Sequence, residues 1–141
     1  MKFKMVDQVV ECTPERVVTV KQVSLAEEYL REHFPGFPVL PGILMVEAMA
    51  QAARVMLGED GEHFVLGQVK AMKFGHVVRP GDALWIEVEL ISRAENGEVN
   101  CRASGRVLAA TAEEAPELGA TAATGRFTMR PIRVDAATHP A

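Results

Sequence analysis

Cysteine is scarce in this chain of 141 residues, where only Cys12 and Cys101 occur, far apart and without a CxxC spacing. Neither stands at metal-ligand intervals from histidines, so no structural zinc site is expected. Both cysteines read instead as small apolar strand residues. A membrane-length run is also absent. Such a span needs about 18 uncharged apolar residues, and the richest stretch, 43–57, is interrupted by Glu47, Gln51 and Arg54. The amino terminus, MKFKMVDQVVEC, lacks a basic-then-apolar signal pattern, which makes the cytoplasm the expected compartment. Positive charge is not in excess either. With 15 Lys and Arg against 19 Asp and Glu, a formal net charge of -4, the composition does not suggest a nucleic-acid binder.

What is present suits a single domain spanning residues 1–141, with 48% hydrophobic and 24% charged residues. Residues 2–11 and 16–23 read as neighbouring strands separated by a turn at Cys12-Thr13-Pro14-Glu15. Ser24 followed by Glu27 forms a capping box and opens a short helix over 25–32. Next comes HFPGFPVLPG, residues 33–42, in which three prolines and two glycines forbid a regular helix or central strand. This loop is apolar as well as stiff, as if folded against something buried. From Gly42 to Leu57 the chain reads as one helix, apolar nearly all round and so wrapped by protein on several sides, with Gly58 as its stop. Strands are expected over 63–74, 83–92, 99–110 and 120–129, with an acidic loop at 111–119. No internal repeat is evident. The fold class is α+β, with an antiparallel sheet curled around the central helix and exposed sheet edges that favour pairing with a second subunit.

Glu47 is the most informative residue. A carboxylate among Ile43, Leu44, Met45, Val46, Ala48, Met49 and Ala50 is expected to be desolvated, which raises its pKa. Gln51 lies one turn on, on the same face, where it can hydrogen-bond and orient the carboxylate. The alternative is that the pair faces solvent or anchors neighbouring backbone. His33 begins the rigid loop, which can fix an imidazole. Gly42 opens the helix, where its N–H lacks an intrahelical partner and the helix dipole favours negative charge. A base, an acid and an oxyanion-directed amide fit proton abstraction beside a carbonyl, followed by loss of a leaving group.

The segment HFPGFPVLPGILMVEAMAQAA resembles the active-site segment of the FabZ-type 3-hydroxyacyl-[acyl carrier protein] dehydratases, including the fourteen-residue interval from His33 to Glu47. Lys73-Phe74 and Arg79-Pro80-Gly81-Asp82 extend the likeness. The resemblance implies a hotdog fold, an antiparallel sheet wrapped around a long helix. It further implies that His33 takes the proton next to the thioester carbonyl and Glu47 protonates the departing hydroxyl. Gly42 would polarise the thioester oxygen, Val39 would hold the imidazole through its carbonyl, and Gln51 would orient Glu47. The implied substrate is a 3-hydroxyacyl chain on the phosphopantetheine of acyl carrier protein, without metal or organic cofactor. The implied assembly is a homodimer with the site shared between subunits, able to form trimers of dimers. Two features differ within that family: residues 5–20 contain nothing like the amino-terminal PHR and PFLLVD elements, and FabA-type relatives carry aspartate where this chain has Glu47.

Phe34, Phe37, Leu40, Met45 and Met49 are candidates to line an acyl tunnel, or equally to fill the core. Lys70, Lys73, His76 and Arg79 can meet an acidic carrier protein, or form a solvated strand edge. Arg126, Arg130 and Arg133 are a weaker set of the same kind. The leading expectation is a dehydratase of fatty acid or related lipid biosynthesis. Its rivals are a lyase of a specialised lipid or polyketide route or of coenzyme A thioesters, a thioester hydrolase, and a non-catalytic subunit that binds acyl carrier protein.

Overall fold

The run Arg-Val-Val-Thr-Val at residues 16–20 is rich in the β-branched side chains that suit a pleated surface, and it forms part of a strand in the computed structural model, which describes residues 4–24, 39–108 and 118–132. In chain order the elements are β1 (Gln8–Cys12), β2 (Arg16–Gln22), α1 (Gly42–Met56), a 3-10 turn (Gly58–His63), β3 (Phe64–Phe74), β4 (Ala83–Arg93), β5 (Val99–Leu108) and β6 (Leu118–Pro131). The expected short helix over 25–32 lies outside the described residues, as do His33, Phe34, Phe37, Arg133 and residues 111–117 of the acidic loop. No helix among the described residues is long and apolar enough to cross a membrane.

All strand pairs are antiparallel, and the single sheet has the order β1-β2-β4-β5-β6-β3. The β1–β2 turn is closed by Thr13, whose N–H donates to the Arg16 carbonyl at 2.7 Å and whose Oγ1 accepts from the Arg16 N–H at 3.0 Å. β1 and β3 are the two edges. α1 packs across β2 to β6. Alternation along β4 places Leu84, Ile86 and Val88 in the core, while Trp85 and Glu87 are half-buried and Glu89 is exposed on the other face. The helix adds Met45, Ala48, Met49, Ala52, Ala53 and Met56 to the same core, which β5 and β6 complete with Val99, Cys101, Phe127 and Met129. Each large apolar side chain so buried is worth roughly 1.5–3 kcal/mol.

Several sequence expectations are corrected. α1 is not apolar all round. Ile43 is 76% exposed, and Glu47, Gln51 and Arg54 are half-buried, so one stripe of the helix faces away from the sheet. The sheet covers a single side of α1, and the alanines on that side let the helix sit close to it. Cys12 ends β1 in an exposed position rather than a buried one, whereas Cys101 is buried in β5. Gly58 does end the helix, with φ +70, a conformation that costs glycine nothing. Beyond it, however, the chain continues as the 3-10 turn, a short element that leaves no periodicity to read. β6 is longer than expected and takes in Leu118 and Gly119.

On the helix-facing side of β2 the sheet carries two buried polar residues. Thr19 Oγ1 is buried with no hydrogen-bond partner among the described residues, and Lys21 Nζ lies 3.4 Å from Asp7 Oδ2.

Candidate active site

Pro41 caps α1 with an extended backbone (φ -61, ψ 143), and its carbonyl accepts the N–H groups of Leu44 and Met45 at 3.0 and 3.3 Å. The approach to the helix is pinned by the Leu40 N–H, which donates to the Val78 carbonyl at 2.8 Å. The segment after β3 therefore lies beside the start of α1. Gly42 is the first helical residue, and its N–H has no acceptor among the described residues. The Phe74 ring lies close against it, so that a Cβ there would stand 2.9 Å from the ring and the ring would have to shift. The first turn holds no acidic residue that would compete for the free amides. Such a terminus can stabilise negative charge developing on a nearby oxygen.

One turn further on, Glu47 is held from two sides. Gln51 Nε2 donates to Glu47 Oε1 at 3.0 Å, and Arg54 Nη1 lies 3.7 Å from the same oxygen. Gln51 Oε1 in turn accepts the Met5 N–H at 2.8 Å, while Arg54 Nε donates to the Phe64 carbonyl at 3.0 Å. The carboxylate is thus connected to the residues before β1 and to the start of β3. The expected burial of Glu47 does not occur within one chain, where its side chain remains 38% exposed because the open stripe of α1 carries it. Gln51 therefore bonds both the Glu47 carboxylate and the Met5 backbone. Arg54 went unassigned in the sequence reading. Its signal was the 47, 51, 54 spacing, which puts three polar residues on one helical face.

The structure brings Gly42, Glu47 and Gln51 onto one helix, with Val39 buried just before it. Leu40, Met45 and Met49 are packed in the hydrophobic core. The basic group is divided by the fold. Lys70 and Lys73 are exposed on β3, while His76 and Arg79 lie in the segment tied to Leu40. Arg126 and Arg130 are exposed on β6. Burial pushes the Cys101 thiol up to about 11, with nearby Arg93 acting in the opposite direction.

Comparison with known proteins adds a second line. A family model described as FabA-like domain matches residues 1–113. The 3-hydroxyacyl-[acyl-carrier-protein] dehydratase FabZ of Levilactobacillus brevis is 42% identical over 114 residues, covering 76% of this chain and 77% of that protein. The FabZ of Acinetobacter baumannii is 37% identical over 120 residues, covering 79% and 82%. Among solved structures, the dehydratase heterocomplex ApeI:P from Xenorhabdus doucetiae superposes with a TM-score of 0.63 at 16% identity, covering 89% of this chain and 96% of that one. The smu.793 protein of Streptococcus mutans bound to acetyl CoA gives 0.65 at 17% identity, covering 93% and 91%. These structural likenesses bear on the fold alone.

Proposed function

This chain belongs to the family of FabA-like domains, and from that premise we propose that it is a 3-hydroxyacyl-[acyl-carrier-protein] dehydratase of fatty acid biosynthesis. The observation that carries the reading is Glu47, fixed by Gln51 and Arg54 on the helix that Gly42 opens. The base is His33, which takes a proton from the carbon next to the thioester carbonyl. The electron pair left behind is delocalised onto the carbonyl oxygen, where the Gly42 N–H and the helix dipole stabilise it. The carbon–oxygen bond at the 3-position then breaks as Glu47 donates a proton to the hydroxyl. Water departs and a trans-2-enoyl thioester remains. Val39 orients the imidazole through its carbonyl. The chemistry uses side chains and one backbone amide, with no metal or organic cofactor.

The working form is a homodimer. Ile43 and Phe74, at 76% and 53% exposure, present apolar surface beside the start of α1. A second subunit over this surface keeps bulk water from Glu47, the setting that an acid group needs. The acyl chain is delivered by acyl carrier protein. His76 and Arg79, tied through Val78 to the approach of α1, are the basic side chains best placed to meet an acidic carrier. A reducing, cytoplasmic setting belongs to the same proposal, and both thiols stay free there.

The test is to supply 3-hydroxybutyryl and 3-hydroxydecanoyl thioesters and follow enoyl absorbance and free thiol together. The expected result is enoyl product with no thiol release. Thiol release without enoyl product identifies a hydrolase and overturns the reading.

A further inference from the structure

On the sheet face turned away from α1, the strand register places like charges directly opposite one another. Arg102 on β5 faces Arg126 on β6, which faces Lys70 on β3. Such pairs destabilise a sheet. None of the three makes an ion pair or side-chain hydrogen bond among the described residues. A fourth cation joins them through an irregularity in β3. Lys70 pairs with Arg126 and Lys73 with Thr124, so β3 takes three steps where β6 takes two. Side chains three apart in a regular strand point to opposite faces. The extra residue turns Lys73 onto the face of Lys70, and Ala71 inside the bulge takes a positive φ of 52 that is unfavourable for any residue with a Cβ.

Three of these cations, Lys73, Arg102 and Arg126, line a cavity of about 350 Å³ together with the hydroxyls of Ser104 and Thr124. Glu87 and Glu89, on β4, close its opposite end. Glu87 is already held there, by the Trp85 indole N–H at 3.0 Å and by Arg16 at 3.4 Å. In the same cross-strand row Glu89 on β4 stands directly opposite Arg102, so one cation has a carboxylate neighbour. The lining therefore runs from carboxylates over β4, through Arg102, to Arg126 and Lys73, which make no ion pair among the described residues. Two strand spacings, roughly 10 Å, separate β4 from β6.

We propose that this outer face is a binding site for a small organic phosphate monoester, separate from the dehydration site. The phosphate sits among Lys73, Arg102 and Arg126, where guanidinium groups can bind it bidentately. A body bearing hydroxyl or amine groups extends across β5, so that Glu87 and Glu89 accept its hydrogen bonds. Phosphate on a free metabolite and phosphate on a lipid headgroup share this chemistry.

Calorimetric titration of the full chain with adenosine monophosphate, ribose 5-phosphate and adenosine tests the site. A parallel arm measures sedimentation with phosphatidylcholine vesicles, with and without phosphatidic acid. The expected result is binding of the phosphorylated probes, no binding of adenosine, and at least tenfold weaker binding in Arg126→Ala and Lys73→Ala. Both positions are exposed, so folding persists, and turnover on coenzyme A thioesters stays unchanged. Binding confined to the phosphatidic acid vesicles, with the same dependence on Arg126 and Lys73, supports the site and makes its source a lipid. The proposal is overturned if folded protein binds none of these probes, or binds them equally well in both variants. It is also overturned if the substitutions reduce turnover on carrier-borne substrate while no probe binds, because the face then docks the carrier protein.

Discussion

Glu47 and Gln51, one turn apart on α1, are joined by a 3.0 Å hydrogen bond from Gln51 Nε2 to Glu47 Oε1. The other end of the same amide accepts the Met5 N–H at 2.8 Å, which leaves the Gln51 side chain little freedom to turn. Gln51→Leu removes both bonds and strands a backbone N–H. Stability is expected to fall by roughly 1–3 kcal/mol, and kcat by about tenfold, equivalent to about 1.4 kcal/mol of misplaced acid. KM is expected to change little, because in the proposed mechanism Gln51 acts through Glu47 and not on the substrate. Denaturant titration and steady-state kinetics check the two effects separately.

The two thiols differ in environment and therefore in chemistry. Cys12 is exposed and Cys101 buried, so a thiol-specific reagent is expected to label Cys12 in the native protein and Cys101 only on unfolding. Cys101 also contributes to the alkaline stability profile. Burial holds its folded pKa at about 11, above the ordinary thiol value of 9.0, so the folded state keeps a proton that the unfolded state releases. The contribution is fully present below pH 9 and lost as pH rises towards 11. It amounts to about 2–3 kcal/mol at most. Cys101→Ala removes this part of the decline, as urea titrations across that pH window will show.

Thr19 Oγ1 is buried without a partner among the described residues. Thr19→Val keeps the shape and deletes the unsatisfied hydroxyl, which is expected to stabilise the fold by about 1 kcal/mol. A thermal melt of the variant checks this, and a lowered Tm would show that the hydroxyl is satisfied in the assembled protein.

Ile43 exposes most of its side chain in the first turn of α1. Ile43→Gln, which adds no charge beside the Gly42 N–H, is expected to weaken the proposed dimer by at least tenfold, with loss of turnover at dilute protein and recovery at high concentration. Analytical ultracentrifugation beside the activity assay reads both. A fully active dimer at all concentrations would place the subunit contact elsewhere.

Much of this fold was legible because it rests on periodicity. Alternation along 83–92 and the β-branched run at 16–20 located β4 and β2 to within a residue or so, and Gly42 and Gly58 bounded α1. Burial was harder to read. Fifteen helical residues dominated by alanine and methionine look enclosed, yet which side the sheet covers depends on packing distant in sequence, and so the exposure of Glu47 was not visible. Gln51 was placed as the partner of Glu47 by helical spacing alone. Its contact with Met5 spans 46 residues and could not be anticipated in the same way. Nor could the cross-strand row of Arg102, Arg126 and Lys70, because register between strands is set by the tertiary fold and by bulges that leave no local signal.

The most direct test of the account is turnover of 3-hydroxyacyl thioesters by the parent chain and by Glu47→Gln, on acyl carrier protein and on coenzyme A. The variant keeps the shape of the side chain and its hydrogen bond to Gln51 while removing the acid. The account predicts enoyl formation by the parent, fastest on acyl carrier protein, and a loss of roughly 10²–10⁴-fold in a variant whose oligomer is intact. Parent-like turnover in Glu47→Gln, or no enoyl product from a well-folded parent on either carrier, would contradict it.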